Sequence, residues 1–212
     1  MRLVHNSLRI IGEHRRAYIV LNVGYYGLVV CGMIYVTFNP ALQQSLIDAV
    51  GAAFAKGPLS EVVRAYTGGQ VLSAMFMTFV VNLTMGSLFY ITLPSLMVPF
   101  SGLLLGAYRA ILWGLLLSPA SPELRLAMIP HSLTLLLEGQ AYILAIFAAY
   151  VHGRAFLWPH TVGEATRWQG YLAGVRRMTR LYLLVVIMLA VAAIYEALEV
   201  IFIVAPMASA AH

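Results

Sequence analysis

The sequence predicts an all-α membrane protein, a polytopic bundle of about five transmembrane helices. Of its 212 residues 61% are hydrophobic and only 10% are charged, and the mean hydropathy is +0.85. Soluble domains carry about 25% charged residues. The apolar residues also fall into runs that could cross a bilayer, which takes roughly 20 helical residues. We predict one bundle over 17–206, with spans at 17–38, 69–92, 95–118, 127–152 and 181–205 and a tail at 207–212.

Residues 1–16 alternate apolar and basic side chains, which predicts an amphipathic helix on the membrane surface or a flexible basic tail. The run at 17–38 exceeds the roughly 7–15 residues of a signal-peptide hydrophobic region and no small-residue cleavage site follows it, so we predict an uncleaved anchor. Basic residues accumulate on the cytoplasmic side, which places the N-terminus inside. The inner regions then hold Arg2, Arg9, Arg15, Arg16, Arg154, Arg167, Arg176, Arg177 and Arg180, and the outer regions hold Lys56, Arg64 and Arg125.

Residues 39–68 predict an outer-face amphipathic segment of one or two short helices. Apolar residues follow helical spacing up to Phe54, Gly57 and Pro58 break the pattern, and Ser60 is a candidate N-cap for a second helix. This segment could cover the bundle or dock a partner. If 39–56 enters the membrane there are six spans, and if one span is re-entrant there are four. The single cysteine, Cys31, is predicted to be a small apolar packing residue.

The sequence excludes several functional classes. The net charge of +5 is explained by membrane topology, so we expect no nucleic-acid partner. No HExxH or CxxC metal motif, glycine-rich phosphate loop or GxSxG elbow occurs. We therefore predict no catalytic residues, cofactor or metal, although four side chains could be imagined as a metallo-site. Those side chains are His131, Glu138, Glu196 and Glu199.

Three charged residues are predicted to lie at similar depth in three different spans. With a rise of 1.5 Å per residue, Glu138 and Arg109 lie roughly 15 Å and 13 Å from the outer ends of their helices. Glu196 lies about 10–13 Å from its own outer end by the same rise. A buried charge is tolerated when an opposite charge compensates it. We predict that Arg109 bridges the two carboxylates, as a structural clamp, a transport relay or, less readily, a catalytic group.

Further polar residues extend this set. His131 and Glu138 are seven residues apart and share one helix face. Glu199 is expected at the level of His131, which could also be a plain interfacial histidine. Asn82 should lie deeper and bridge helices or cap backbone groups.

Small residues recur every four positions in two spans and predict close helix packing, either within the chain or with a partner. They are Gly102, Gly106, Ala110 and Gly114 in the third span, and Ala141 and Ala145 in the fourth.

Several of these features resemble the stage II sporulation protein M (SpoIIM-like) membrane family over roughly residues 17–206. They are Asn82, the Leu-Leu-Gly106 stretch, Ile129-Pro130-His131 leading to Glu138-Gly139-Gln140-Ala141, and Ile194-Tyr195-Glu196-Ala197 before Pro206. Many members carry the glutamate three residues after the histidine, where this sequence has Thr134. In spore formers, members act as membrane scaffolds of a peptidoglycan-remodelling complex. Related proteins occur with circular-bacteriocin production and export.

We therefore expect a non-catalytic scaffold or assembly subunit in a bacterial cytoplasmic membrane. Its partners would be the bilayer and other membrane proteins, including itself, a transporter ATPase or a cell-wall enzyme. The alternative is a permease or channel subunit that works with a separate ATPase through the basic segment 153–180.

Overall fold

The computed structural model describes residues 2–55, 59–120 and 122–210, and throughout this part the chain is helical, without strands. The helices are α1 (Arg2–Glu13), α2 (Arg15–Thr37), α3 (Pro40–Phe54), α4 (Leu59–Thr67), α5 (Val71–Val81), α6 (Leu93–Met97), α7 (Ser101–Leu116), α8 (Pro122–Leu157), α9 (Arg167–Glu199) and α10 (Ala205–Ala210). Two π-helices, Asn82–Thr92 and Val200–Val204, and one 3₁₀ turn, Pro159–Val162, complete them.

Within the described residues, four helical runs are long and apolar enough to cross a membrane: Arg15–Thr37, Val71–Met97, Leu124–Leu157 and Arg167–Met207. The predicted class, an all-α membrane bundle, is confirmed. The predicted span at 95–118 corresponds to the shorter helix α7, whose 16 residues fall below the roughly 20 of a straight crossing. Pro94 and Pro99 were predicted to bracket the return between the second and third spans, and the chain turns between Met97 and Ser101, where Pro99 lies.

The fourth and fifth spans are longer than predicted. Helix α8 has 36 residues, roughly 54 Å of helix, and α9 begins at Arg167 rather than at 181. Both exceed the roughly 30 Å hydrocarbon core, so they continue beyond it. Pro130, near the start of the predicted span at 127–152, lies inside α8. The Pro130 carbonyl accepts a hydrogen bond from the Tyr195 hydroxyl at 3.1 Å, and this bond joins α8 to α9.

Segment 39–68 forms two short helices, and the predicted break at Gly57 and Pro58 lies outside the described residues. Ser60 is not an N-cap, because it is already the second residue of α4. Helix α3 is tied down by the Gln43 amide, which donates to the Leu116 and Ser118 carbonyls at 3.2 and 2.9 Å. The packing role predicted for Cys31 is wrong, since its side chain is exposed.

The chain divides into two compact units. Unit 1 comprises Met1–Tyr25, Asn82–Tyr108 and Gly139–Leu189, and unit 2 comprises Tyr26–Val81, Arg109–Glu138 and Ala190–His212. Within unit 1, Phe147, Met178 and Leu181 pack in a buried core.

The π-helix Asn82–Thr92 lies in unit 1. Its wide turns are held by Tyr182, whose hydroxyl is 2.8 Å from Ser87 Oγ and also hydrogen-bonds to Thr92. Gly86 leaves room for Tyr142: a Cβ there would lie 2.7 Å from the Tyr142 hydroxyl. Asn82, predicted inside an α-helical span, is the first residue of this π-helix.

The small residues of α7 and α8 pack within the chain. In unit 1, Gly106 faces the Ile146 side chain and Gly102 faces Ser95 and Ile91. In unit 2, Gly114 faces the α2 backbone at Gly32. Ala110, Ala141 and Ala145 are fully buried. This part of the predicted packing surface is therefore occupied by the chain itself.

Candidate functional site

Unit 2 contains a group of hydrogen-bonded polar side chains around Glu199, the last residue of α9. Its side chain is 0% exposed, and Oε2 accepts a hydrogen bond from the Thr134 hydroxyl at 2.9 Å. His131 Nδ1 lies 3.1 Å from the same oxygen. His131 and Thr134 are three residues apart on α8, so they share one face. The His131 side chain is 22% exposed, which connects this buried carboxyl group to the protein surface.

A second pair of carboxyl groups lies beside the first. Glu196, one helical turn before Glu199, hydrogen-bonds to Glu138 and to the Tyr66 hydroxyl. The Tyr66 hydroxyl is also 2.9 Å from Thr78 Oγ1. Burial raises the pKa of Tyr66, and the negative charge of Glu196 raises it further, so the phenol stays protonated and can donate.

A hydrogen bond between two carboxyl groups requires a proton on one of them, because an ionised carboxylate only accepts. A proton shared by Glu138 and Glu196 would meet this requirement. Glu196 also interacts electrostatically with His131 and Glu199, so both pairs belong to one cluster. We call it the carboxyl cluster, and it consists of Tyr66, His131, Thr134, Glu138, Glu196 and Glu199.

The structure brings together four of the six polar residues predicted from sequence, namely His131, Glu138, Glu196 and Glu199. Arg109 belongs to the same unit, and its guanidinium carbon lies 5.1 Å from the centroid of the Trp113 ring. Its bridge to Glu138 and Glu196 stays a prediction. Asn82 belongs to unit 1, and its predicted role in bridging helices or capping backbone groups stays a prediction.

Tyr66 and Thr134 were not predicted as site residues. Thr134 could have been found, because it lies three residues after His131 and four before Glu138 on one helix face. Tyr66 carries no such signal, since it reaches the cluster from the separate helix α4. Among the residues that the structure describes, no group of three His, Cys, Asp or Glu side chains could hold a metal ion.

The fold and this cluster define a class: a multi-pass α-helical membrane protein with linked carboxyl and imidazole groups inside its spanning helices. No protein-family model matches the chain, and no curated protein or solved structure matches it significantly. The resemblance to the SpoIIM-like family stays a prediction.

Thr134→Val is expected to lower the free energy of unfolding by about 1–2 kcal/mol, because it removes a donor from a buried carboxylate without changing the side-chain size. Thermal unfolding in detergent measures the effect. Ser132→Ala is the matched control, since Ser132 is exposed on the same helix and bonds only to the Ile129 carbonyl. Equal stability of the two variants would contradict the importance of the Thr134 bond.

Proposed function

We propose that the protein is the membrane-embedded, non-catalytic subunit of a transport system, in which the carboxyl cluster takes up and releases protons. The observation that carries this proposal is the group of carboxyl side chains, Glu138, Glu196 and Glu199, that lies with His131 within membrane-spanning helices. Ionisable groups inside a membrane are costly and rare, and those that occur mark ion pathways or proton relays. A purely structural contact could use an amide, which donates without exchanging a proton.

The arrangement also supplies a path by which the proton can exchange. His131 reaches the protein surface and contacts Glu199, whose side chain is fully buried. Glu199 and Glu196 lie one turn apart on α9, and Glu196 contacts Glu138. Proton movement along this order leads from the partly exposed imidazole to the Glu138–Glu196 pair.

A scaffold of the SpoIIM-like kind is the second candidate. Its support is that the same hydrogen bonds join α8 to α9 through His131 and Glu199, and α4 to α9 through Tyr66 and Glu196. A scaffold needs this rigid cross-linking but not proton exchange. The sequence offered two surfaces on which a scaffold could bind partners, segment 39–56 and the small residues of two spans. Both have contacts within the chain, because Gln43 fastens α3 and small residues of α7 and α8 pack internally.

Glu196→Gln separates the two candidates. Glutamine keeps the size of glutamate, retains one carbonyl acceptor and has amide donors, but it cannot ionise. If the cluster moves protons, the variant should fold and lose proton flux into liposomes by about 100-fold or more, which is the lower end of the effect of losing an acid–base group. If the cluster is a clamp, Glu196→Gln should behave as wild type, whereas Glu196→Ala should fail to fold or assemble.

The flux is measured with a pH-sensitive dye inside liposomes, driven by a potassium-diffusion potential. Infrared spectra give a second reading that needs no flux, because a protonated carboxyl group absorbs apart from a carboxylate and shifts in D₂O. Glu61→Gln is the control, since Glu61 forms an exposed ion pair with Arg64 in the same unit. Wild-type flux no greater than that of Glu196→Gln would overturn the transport proposal.

Partners are part of the same proposal. We place the protein in a bacterial cytoplasmic membrane with the arginine-rich side inside, following the charge bias of its sequence. Co-purification from native membranes distinguishes a transporter ATPase, expected for a transport subunit, from a cell-wall enzyme, expected for a scaffold.

A further inference from the structure

Two adjoining clefts in unit 1 form a basic and an aromatic half of one surface. The first has a volume of about 430 Å³ and is lined by His14, Arg15, Arg16, Tyr150 and Arg154, among others. The second, about 470 Å³, is lined by Phe100, Trp158 and His160 and shares Tyr150 and Arg154 with the first. Neither cleft includes a residue of the carboxyl cluster.

The first cleft has an excess of positive charge. Its acidic lining residue, Glu13, is already paired with Arg177 at 2.9 Å and with Arg9 at 3.7 Å. Arg15 and Arg16 are exposed, and Arg154 is partly buried with Nη1 donating to the Tyr150 hydroxyl at 3.2 Å. Burial lowers the pKa of His14, and the charges of Arg154 and Arg177 lower it further, which is the effect of a positive field.

The second cleft is walled by aromatic rings. The Phe100 centroid lies 6.1 Å from that of Tyr150 and 6.2 Å from that of Trp158. Phe100 has φ of 67°, a left-handed conformation that costs a side-chain-bearing residue about 1–3 kcal/mol. Its ring packs on Gly153, where a Cβ would lie 3.0 Å from Phe100 Cε1. This strained turn places the Phe100 ring beside the basic cleft.

The position of both clefts along the chain indicates the partner. The candidate span of α2 begins at Arg15, and that of α8 ends at Leu157. The arginines and Trp158 therefore lie at the ends of spanning helices, where phospholipid headgroups are found and where tryptophan and tyrosine concentrate. A positive cleft beside an apolar one matches a molecule with a phosphate at one end and an acyl chain at the other.

We propose that these clefts bind one anionic phospholipid, with its phosphate on Arg15, Arg16 and Arg154 and the first part of an acyl chain against Phe100, Tyr150 and Trp158. This inference is independent of the proton chemistry in unit 2. It is tested on the purified full chain in detergent by native mass spectrometry with added phosphatidylglycerol or phosphatidylcholine of the same chain length.

Wild type should retain phosphatidylglycerol in preference to phosphatidylcholine. The triple variant Arg15→Gln/Arg16→Gln/Arg154→Gln should lose more than about tenfold in affinity for phosphatidylglycerol, given the contribution of each basic group. Arg167→Gln/Arg176→Gln/Arg180→Gln removes the same charge from outside both clefts and should retain that affinity within about twofold. Equal losses in the two triple variants would overturn the proposal in favour of general surface charge.

Two further measurements keep the test decisive. Inorganic phosphate should not displace the lipid, and complete displacement would show a free-phosphate site and overturn the lipid assignment. Trp158→Ala should weaken retention of phosphatidylglycerol, and unchanged retention would overturn the acyl-chain half of the site. If the triple cleft variant does not fold, the affinity of Arg16→Gln alone for phosphatidylglycerol is measured instead. Arg16 is exposed, so its loss leaves the core intact.

Discussion

Glu199→Ala is expected to lower the free energy of unfolding by about 3 kcal/mol. The substitution removes the acceptor of the Thr134 hydroxyl and of His131, and it leaves a cavity where a fully buried side chain stood. The Thr134 hydroxyl is buried, so leaving its hydrogen bond unmade costs the full desolvation of that group. Thermal unfolding in detergent, followed by loss of a monodisperse peak in size-exclusion chromatography, measures the effect.

Two variants give this prediction its controls. Glu199→Gln retains a carbonyl oxygen as acceptor for Thr134, so it should lose less stability than the alanine variant. Glu61→Ala removes an exposed glutamate from an ion pair on the same unit and should change stability by less than about 1 kcal/mol. If Glu199→Ala were as stable as Glu61→Ala, the cluster would not hold α8 against α9.

The carboxyl cluster could be predicted in part because helical geometry fixes which residues share a face. His131 and Glu138 are two turns apart, and Glu196 and Glu199 are one turn apart. Once each apolar run is known to be a membrane span, costly charged residues at equal depth are expected to meet. The contact of His131 with Glu199 follows from this reasoning, because both were placed at one level.

Other features could not be predicted because they depend on tertiary contacts. The π-helix Asn82–Thr92 has an apolar pattern typical of an α-helix, and its wide turns are held by Tyr182, a residue 90 positions later in sequence than Thr92. Pro130 disfavours a helix interior locally, yet α8 continues through it, and the Pro130 carbonyl accepts a hydrogen bond from Tyr195 of α9. Tyr66 joins the cluster from a helix whose sequence indicated only a surface position.

Gly114→Ala is the second substitution for which we expect a large effect, a loss of about 3 kcal/mol in the free energy of unfolding. Helices α7 and α2 approach here through backbone atoms: a Cβ on Gly114 would lie 3.0 Å from Gly32 Cα and closer still to the Val29 carbonyl. In return, a Cβ on Gly32 would lie 2.9 Å from the Ile111 carbonyl. Backbone atoms cannot rotate away as a side chain can, so the two helices would have to separate.

Gly27→Ala is the matched control, because Gly27 lies in α2 of the same unit and a Cβ there meets nothing within 4 Å. Alanine is a better helix former than glycine by about 1 kcal/mol, so this variant should be as stable as wild type or more stable. Gly106→Ala should fall between the two, since its new methyl group meets the flexible end of Ile146 rather than backbone. The order Gly27, Gly106, Gly114 in thermal stability therefore tests whether close backbone approach, rather than glycine itself, holds α2 against α7. Equal losses at Gly27 and Gly114 would contradict it.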